Sequence, residues 1–382
     1  MNTPTTEDRL HETLRDLRER GKEISFCVVG AGHGGLAMAG HLGIMGFPVS
    51  LYNRTEKNLH AVRWHGGVKV TGAVQGFGPI KVASSNMAEA VSQADVVMVV
   101  LPSSGHRFVA EQMASCLRAG QIVVLNPGRT GGALEFRQVL NSKGCQVPVL
   151  VAETSTFLYA SRALSRSEAR IFRIKNTVRL ATLPAYWIPE ILPIINQAFP
   201  QFTAGDSVLS TGMENIGAIF HPALTLLNAG WIETTKGDFD YYIGGISPSV
   251  ARMLERLDAE RVAVAKSMGV HTVSAREWLY LTYDSPGRDL YEAIQNTASY
   301  RGIRAPQTIL HRYVTEDVPM SLVPLASIGK MLGVNVPTIE MVIDLANAMH
   351  GTDYRKEGRT VASMGIQGMS VKEIRQLAVG IE

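Results

Sequence analysis

The sequence predicts an α/β domain built on a parallel sheet, followed by an all-α region. A glycine turn follows directly on a continuous apolar run near residue 30, and further short apolar runs alternate with helical patterns up to residue 151. Beyond Pro184 the strand pattern nearly disappears. Because strands that alternate with helices of this length form βαβ units, the first part of the chain is predicted to be a doubly wound parallel sheet.

The first elements surround the glycine turn. Residues 24–29 form a continuous apolar run, which is typical of a central parallel strand buried on both faces. A helix rich in small residues is predicted at 36–42, and it ends at Gly46 with Pro48 just beyond. The second strand is predicted at 49–52.

The rest of the first domain follows the same alternation. Strands are predicted at 96–101, 122–125 and 147–151, and helices at 86–93, 105–118 and 131–143. Apolar and basic residues alternate at 169–183, which predicts a hairpin that closes this domain.

A chain of 382 residues is too long for a single hydrophobic core, so we predict two domains with a connecting segment. Residues 1–22 are predicted to be a helical extension, because Leu10, Leu14 and Leu17 recur at helical spacing. Residues 23–185 are the predicted sheet domain and 186–382 the predicted helical domain. In the latter, Ser247 and Pro248 have the residue types that begin a long helix, and further helices are predicted at 288–299, 321–332 and 337–349.

Composition excludes several classes of protein. A net charge of +3, with no stripe of basic and aromatic residues, argues against a nucleic-acid partner. The longest apolar stretch, 96–101, is far too short to span a membrane, and residues 1–22 lack the apolar core of a signal peptide. The three cysteines have unrelated spacings, which argues against disulfides and against a metal site and favours a cytoplasmic protein.

The glycine turn predicts a dinucleotide site. Gly30, Gly32 and Gly35 form a Gly-x-Gly-x-x-Gly pattern between the first strand and the first helix, with His33 and Gly34 inside it. In a Rossmann domain these glycines allow a tight turn, let the backbone approach a pyrophosphate and permit close helix–strand packing. We interpret the His33 side chain, like His65 and His311, as structural or as a surface group.

The end of the second strand indicates which dinucleotide binds. NAD-binding members place an acidic residue there, whereas this chain has Asn53, Arg54 and Thr55. Because Arg54 can pair with a 2′-phosphate, we predict that NADP is preferred and that NAD remains possible. Pro102 and Ser103 follow a strand at the predicted nicotinamide end; a plain strand-to-helix turn is an equally good interpretation.

Long motifs then resemble one family, the octopine/nopaline (opine) dehydrogenases. The motifs lie at 126–135, 152–156, 214–223, 237–242, 247–250, 257–261 and 312–319. The resemblance runs from about residue 24 to 350. It implies a Rossmann domain followed by a helical domain. It also implies condensation of an amino acid with an α-keto acid and reduction of the resulting imine by NAD(P)H.

The same resemblance assigns roles to particular residues. It places the catalytic histidine at His221, its carboxylate partner at Asp317 and the arginine that holds the keto-acid carboxylate at Arg312. Histidine suits this chemistry because it gives and takes protons near neutral pH. Since Pro222 disfavours helical geometry at the residue before it, His221 is expected at a helix break.

Two further residues are candidates for substrate binding. Asn215 is expected to share the site with His221 only if the helix breaks at Pro222, because six residues correspond to some 240° around a straight helix. Glu153 is expected either to bind the substrate amine or to cap a helix.

Two other functions stay open on the sequence. One is an NADP-dependent 2-hydroxy-acid or ketopantoate-type reductase, although Lys236 and Lys266 do not follow the lysine pattern of that class. The other is an NADP-binding sensor without turnover. A homodimer is expected, since helical second domains often dimerise.

Overall fold

The computed structural model describes residues 5–380. Residues 1–4 of the predicted N-terminal extension and 381–382 of the predicted helical domain lie outside the described residues. The described chain divides into two compact units, residues 5–211 with 376–380 and residues 212–375. The first unit extends beyond the predicted boundary at 185–186, because α7 (Ile188–Ile195) and β12 (Phe202–Ala204) pack against β11 (Val178–Leu183).

The first unit holds an eight-stranded sheet with the order β12-β11-β8-β7-β6-β1-β2-β5. The strands not yet given are β1 (Phe26–Val29), β2 (Val49–Tyr52), β5 (Val82–Ser84), β6 (Val96–Val99), β7 (Ile122–Leu125) and β8 (Leu150–Thr154). Every neighbouring pair is parallel except β8 and β11. The predicted doubly wound α/β class is therefore confirmed, with β8 three residues later than predicted.

A second sheet was not predicted. It has four strands in the order β4-β3-β10-β9, namely β3 (Gly67–Gly72), β4 (Gly76–Pro79), β9 (Tyr159–Ala163) and β10 (Glu168–Ile174). The predicted hairpin at 169–183 is wrong, because β10 pairs with β9 and β3 whereas β11 pairs with β8 and β12 in the larger sheet. The alternating pattern identified both strands correctly but carried no information on their partners.

Besides α7, six helices of the described part of the first unit pack around these sheets. They are α1 (Thr6–Glu19), α2 (His33–Ile44), α3 (His60–His65), α4 (Met87–Val91), α5 (His106–Met113) and α6 (Gly132–Ser142). Leu10, Leu14 and Leu17 of α1 are buried, as their spacing predicted. The small residues of α2 allow close approach to the second sheet: a methyl group at Gly40 would lie 2.5 Å from a Val70 side-chain atom.

The second unit is helical. Its helices are α9 (Gly217–Leu227), α10 (Ala229–Thr235), α11 (Pro248–Ser267), α12 (Ala275–Tyr283), α13 (Leu290–Asn296), α14 (Arg312–Thr315), α15 (Val323–Leu332), α16 (Pro337–His350) and α17 (Tyr354–Glu357). Helices α8 (Val208–Met213) and α18 (Val371–Val379) cross the limits between the units. As predicted, Ser247 caps α11, its hydroxyl accepting from the Val250 N–H. No helix within residues 5–380 is long and apolar enough to cross a membrane.

Candidate active site

The predicted glycine turn lies between β1 and α2 and requires glycine at two positions. Gly30 has a φ of 118°, and a Cβ there would lie 2.3 Å from the Val100 carbonyl oxygen. A Cβ at Gly35 would lie 1.7 Å from the Gly30 carbonyl oxygen. A side chain at either residue would therefore displace the backbone of the turn, which explains the first and third glycines of the motif.

The same turn leaves room for an anion. Gly32 is the N-cap of α2, and a Cβ added to it would meet nothing within 4 Å. The first N–H groups of a helix have no partner within the helix and carry its positive dipole end. The turn therefore fits a dinucleotide pyrophosphate. His33 Nδ1 accepts a hydrogen bond from the Ala163 N–H at 3.0 Å, which ties the turn to β9 and agrees with a structural role for this side chain.

Asn53, Arg54 and Thr55 follow β2 beside the turn. The Asn53 amide oxygen accepts from the Ala31 N–H at 3.1 Å, and its nitrogen donates to the Thr55 carbonyl at 3.0 Å. Arg54 is exposed, and its guanidinium carbon lies 5.4 Å from the centre of the Phe108 ring. Asn53 therefore supports the turn, while Arg54 presents a cation and a planar face beside it.

Pro102 and Ser103 lie after β6. Pro102 is exposed, and Ser103 is buried in the short turn that leads into α5. This segment is at the carboxyl ends of the parallel strands, where ligands of open α/β sheets bind. Contact of either residue with the cofactor remains a prediction.

His221 and Asp317 meet in the second unit. His221 Nδ1 lies 2.7 Å from Asp317 Oδ2, and the side chains are 20% and 1% exposed. A buried carboxylate on Nδ1 fixes the imidazole tautomer, so Nε2 is the nitrogen left to exchange protons. The structure thus brings together the two residues that the resemblance paired.

The predicted helix break at His221 is wrong. His221 and Pro222 both lie inside α9, which runs without interruption from Gly217 to Leu227. Proline there removes one backbone donor, but most of α9 is buried, and this packing holds the helical geometry. The preference that a proline imposes on the residue before it is overridden here by tertiary contacts.

Asn215 contacts the segment that follows Asp317. Its amide nitrogen donates to the Ser321 hydroxyl at 2.7 Å, and Ser321 lies four residues after Asp317 along the chain. Because α9 begins only at Gly217, the angle expected for a straight helix does not apply to Asn215. Asp317 itself is followed by a π-helical turn, Val318–Leu322, and such turns are frequent at functional sites.

Arg312 begins α14. Its side chain is 58% exposed and forms a salt bridge of 3.0 Å with the buried carboxylate of Glu316. This exposed guanidinium can still take a carboxylate through its fork of donors. Its role as the keto-acid clamp remains a prediction.

Glu153 lies in β8 and is fully buried. Its Oε2 accepts from the Ala133 N–H at 2.8 Å, and its Oε1 accepts from the Thr211 hydroxyl at 2.7 Å. The first contact is a cap on the N-terminus of α6, one of the two alternatives for this residue. A role toward a substrate amine stays a prediction.

Two tyrosines beside His221 were not selected from the sequence. The Tyr313 ring stacks on the imidazole with centroids 4.1 Å apart, and the Tyr241 hydroxyl donates to the His221 carbonyl at 3.1 Å. Burial raises the pKa of both phenols, so both stay neutral at physiological pH. Both residues are within the family motifs, but their contacts depend on the packing of distant segments.

The motif at 257–261 has a structural role. Arg261 is buried and donates to the Met213 and Val273 carbonyls at 2.6 and 2.7 Å as well as to Asp258. Glu260 accepts from the Thr338 and Ile339 N–H groups, which caps α16. These charged side chains therefore connect helices within the second unit.

Comparison with known proteins agrees with this division of the chain. Residues 25–127 match the NAD-dependent glycerol-3-phosphate dehydrogenase N-terminus, and residues 204–350 match the NAD/NADP octopine/nopaline dehydrogenase alpha-helical domain. The opine dehydrogenase of Arthrobacter sp. (strain 1C) is 36% identical over 352 residues, which cover 92% of this chain and 98% of that protein.

Solved structures show the same fold. Octopine dehydrogenase in complex with NADH and agmatine has a TM-score of 0.77 at 21% identity, covering 94% of this chain and 98% of that one. Yersinopine dehydrogenase with NADP+ bound has a TM-score of 0.69 at 16% identity, covering 93% and 98%.

The dinucleotide turn on a parallel sheet, with a helical unit after it, defines an NAD(P)-dependent oxidoreductase. The chain belongs to the opine dehydrogenase family, since the Arthrobacter relative is similar along nearly the whole of both chains. It acts on the carbon–nitrogen bond of opines by reductive condensation of an amino acid with an α-keto acid. Family membership favours this activity over the 2-hydroxy-acid reductase and the sensor.

Proposed function

We propose that this opine dehydrogenase prefers NADPH to NADH and uses His221 and Asp317 as its acid/base pair. The observation that carries the second part is the 2.7 Å contact between His221 Nδ1 and the buried Asp317 carboxylate. A histidine held this way has one tautomer fixed by the carboxylate and keeps its other nitrogen for proton exchange.

The chemistry requires proton transfers that such a pair can perform. The amine adds to the keto carbon and gives a carbinolamine. Protonation of its hydroxyl by the His221 imidazolium lets water leave, and the protonated imine remains. A dinucleotide held through its pyrophosphate by the turn from Gly30 to Gly35 would supply the hydride for reduction to the secondary amine. In the reverse direction His221 accepts the corresponding proton, while Arg312 holds the keto-acid carboxylate in both directions.

The pair is tested by a substrate screen followed by one substitution. Amino acids are combined with pyruvate, glyoxylate and 2-oxoglutarate, and loss of NADPH absorbance is followed together with opine formation. We expect His221→Ala to lower kcat by about 10²–10⁴-fold and to leave NADPH binding intact. His271→Ala, at an exposed histidine of the same unit, is the matched control. Activity of His221→Ala within a few-fold of wild type would show that another group moves the proton.

The cofactor preference rests on Arg54. An arginine beside the ribose position pairs with a 2′-phosphate, and this chain has no acidic residue at 53–55 to hold ribose hydroxyls. We expect Arg54→Ala to weaken NADPH binding about tenfold, the result of losing roughly 1.4 kcal/mol, and to leave NADH binding within about twofold. Arg15→Ala is the control. Tighter binding of NADH than NADPH by the wild type would overturn the preference.

We also propose a cytoplasmic homodimer. The three cysteines are unpaired thiols in the described structure, which suits a reducing compartment. Light scattering of the purified protein tests the dimer.

A further inference from the structure

A half-buried lysine in the first unit has no assigned role. Lys175 lies in the turn between β10 and β11, and its backbone N–H donates to the Leu158 carbonyl at 3.0 Å. Its ammonium donates to the Thr156 hydroxyl at 2.6 Å and forms no salt bridge within residues 5–380. A lysine is almost never buried unless it is paired with an anion, so a neutral hydroxyl as its one side-chain partner calls for an explanation.

A second cation lies near Lys175. Burial and the positive charge of Arg129 lower the pKa of the Lys175 ammonium to about 8. Arg129 has a φ of 61°, a left-handed backbone conformation that residues other than glycine rarely adopt. Strain of this kind clusters at ligand sites, where the surrounding structure maintains it. The Lys175 ammonium therefore meets a neutral hydroxyl and a nearby positive charge, and this setting favours the binding of an anion to Lys175.

The position of this pair in the sheet is that of a ligand site. Arg129 is in the segment that follows β7, and Thr156 is in the segment that follows β8. Strands β7 and β8 are parallel neighbours, so both segments lie at the carboxyl edge of the sheet, where open α/β sheets bind ligands. Phe157 connects this edge to the glycine turn, because a methyl group at Gly34 would come within 2.7 Å of its ring.

We propose that Lys175, supported by Arg129, binds the α-carboxylate of the amino-acid substrate. The inference rests on the proposed reductive condensation, in which the amino acid brings a carboxylate of its own besides that of the keto acid. Arg312 is already proposed to hold the keto-acid carboxylate, and the glycine turn to hold the pyrophosphate. An ammonium and a guanidinium together suit a single carboxylate, and the Thr156 hydroxyl orients the ammonium toward it.

The test compares an amino acid with the amine that has the same side chain but no carboxylate. KM is measured for the amino acid and for the amine, and an inhibition constant replaces KM where the amine is not converted. KM is also measured for the keto acid and for NADPH. We expect Lys175→Met to raise KM for the amino acid about 10–100-fold, as for a lost charged hydrogen bond, and to leave the other constants within about threefold. Lys175→Arg, which keeps the charge, should restore most of the affinity.

The control is Lys81→Met, at an exposed lysine of the same unit. If Lys175→Met does not fold, Lys175→Gln replaces it, because glutamine keeps a donor for the Thr156 hydroxyl. An equal rise for the amino acid and the amine, or a rise for the keto acid instead, would overturn the carboxylate site. So would an unchanged amino-acid KM in an enzyme that forms opines. Absence of opine formation by the wild type would instead refute the proposed function itself.

Discussion

The ring of Tyr313 lies parallel to the imidazole of His221, with centroids 4.1 Å apart and planes inclined by 18°. Asp317 holds His221 through Nδ1, so the hydrogen bond sets one direction of the imidazole and the stacked ring sets its plane. Tyr313 in turn packs edge-on against His311 and stacks on Tyr241, whose hydroxyl donates to the His221 carbonyl. Tyr313 is therefore a positioning residue for His221.

Replacement of the Tyr313 ring should lower kcat. Aromatic stacking contributes about 0.5–1.5 kcal/mol, so Tyr313→Leu is expected to lower kcat by about 2–10-fold, while Tyr313→Phe stays close to wild type. Steady-state kinetics at saturating substrate measure both, with Tyr280→Leu, at an exposed tyrosine of the same unit, as control. An equal loss in Tyr313→Phe would assign the effect to the hydroxyl instead of the ring.

Asp317→Asn should separate catalysis from binding. The amide keeps the size of the side chain but no longer fixes the tautomer of His221 through Nδ1, so we expect kcat to fall about 10²–10⁴-fold. NADPH binding, measured by fluorescence titration, should not change. Asp284→Asn, at an exposed aspartate, is the control. Retention of activity within about fivefold would contradict the pairing proposed for His221.

The features that could be predicted from the sequence are those that depend on residues close together along the chain. The turn from Gly30 to Gly35 and the apolar runs of β1, β2, β6, β7 and β8 are local patterns, and each of these strands was located to within three residues. The second sheet was missed because β3 and β4 are short and rich in glycine, which weakens the alternation that indicates a strand. The strand pairing at 169–183 was predicted wrongly because the pairing depends on strands that are distant in sequence, and no local pattern identifies them.

The site shows the same limit. Resemblance selected His221 and Asp317, which lie 96 residues apart along the chain and are in hydrogen-bond contact. No local pattern indicates that Tyr313 stacks on His221 or that Lys175 lies near Arg129, because each contact joins segments that are distant in sequence. The helix break expected at Pro222 failed for a related reason: a local preference was weaker than burial of the whole helix.

Glu153→Gln should destabilise the first unit. The substitution removes the negative charge that accepts from the Ala133 N–H. The amide nitrogen of glutamine is a donor, so it faces one of the two groups, the Ala133 N–H or the Thr211 hydroxyl, that donate to the carboxylate. We expect the free energy of unfolding to fall by about 1–3 kcal/mol, measured by denaturant titration of the cofactor-free protein. Glu12→Gln, at an exposed residue of α1, is the control. Unchanged stability with a raised amino-acid KM would favour contact with the substrate amine over the helix cap.

The proposed role of Lys175 has a pH dependence with a definite sign. Arg129 faces Lys175 from the segment after β7, and the Thr156 hydroxyl faces it from the segment after β8 without titrating. The protonated lysine binds a carboxylate, and its pKa is lowered to about 8. Affinity for the amino acid should therefore be complete below pH 8 and decline above it, whereas the amine without a carboxylate should not depend on this group.

The ratio of the amino-acid constant to the amine constant isolates this effect, because both substrates carry an amino group that titrates in a similar range. In the wild type the ratio should rise above pH 8, approaching about tenfold for each further pH unit as a single proton is lost. In Lys175→Met it should be high and flat, because no charge remains to titrate. In Lys175→Arg it should be low and flat up to pH 10, since a guanidinium keeps its proton there. A wild-type ratio that stays constant from pH 7 to 10 would show that the Lys175 ammonium does not bind the carboxylate.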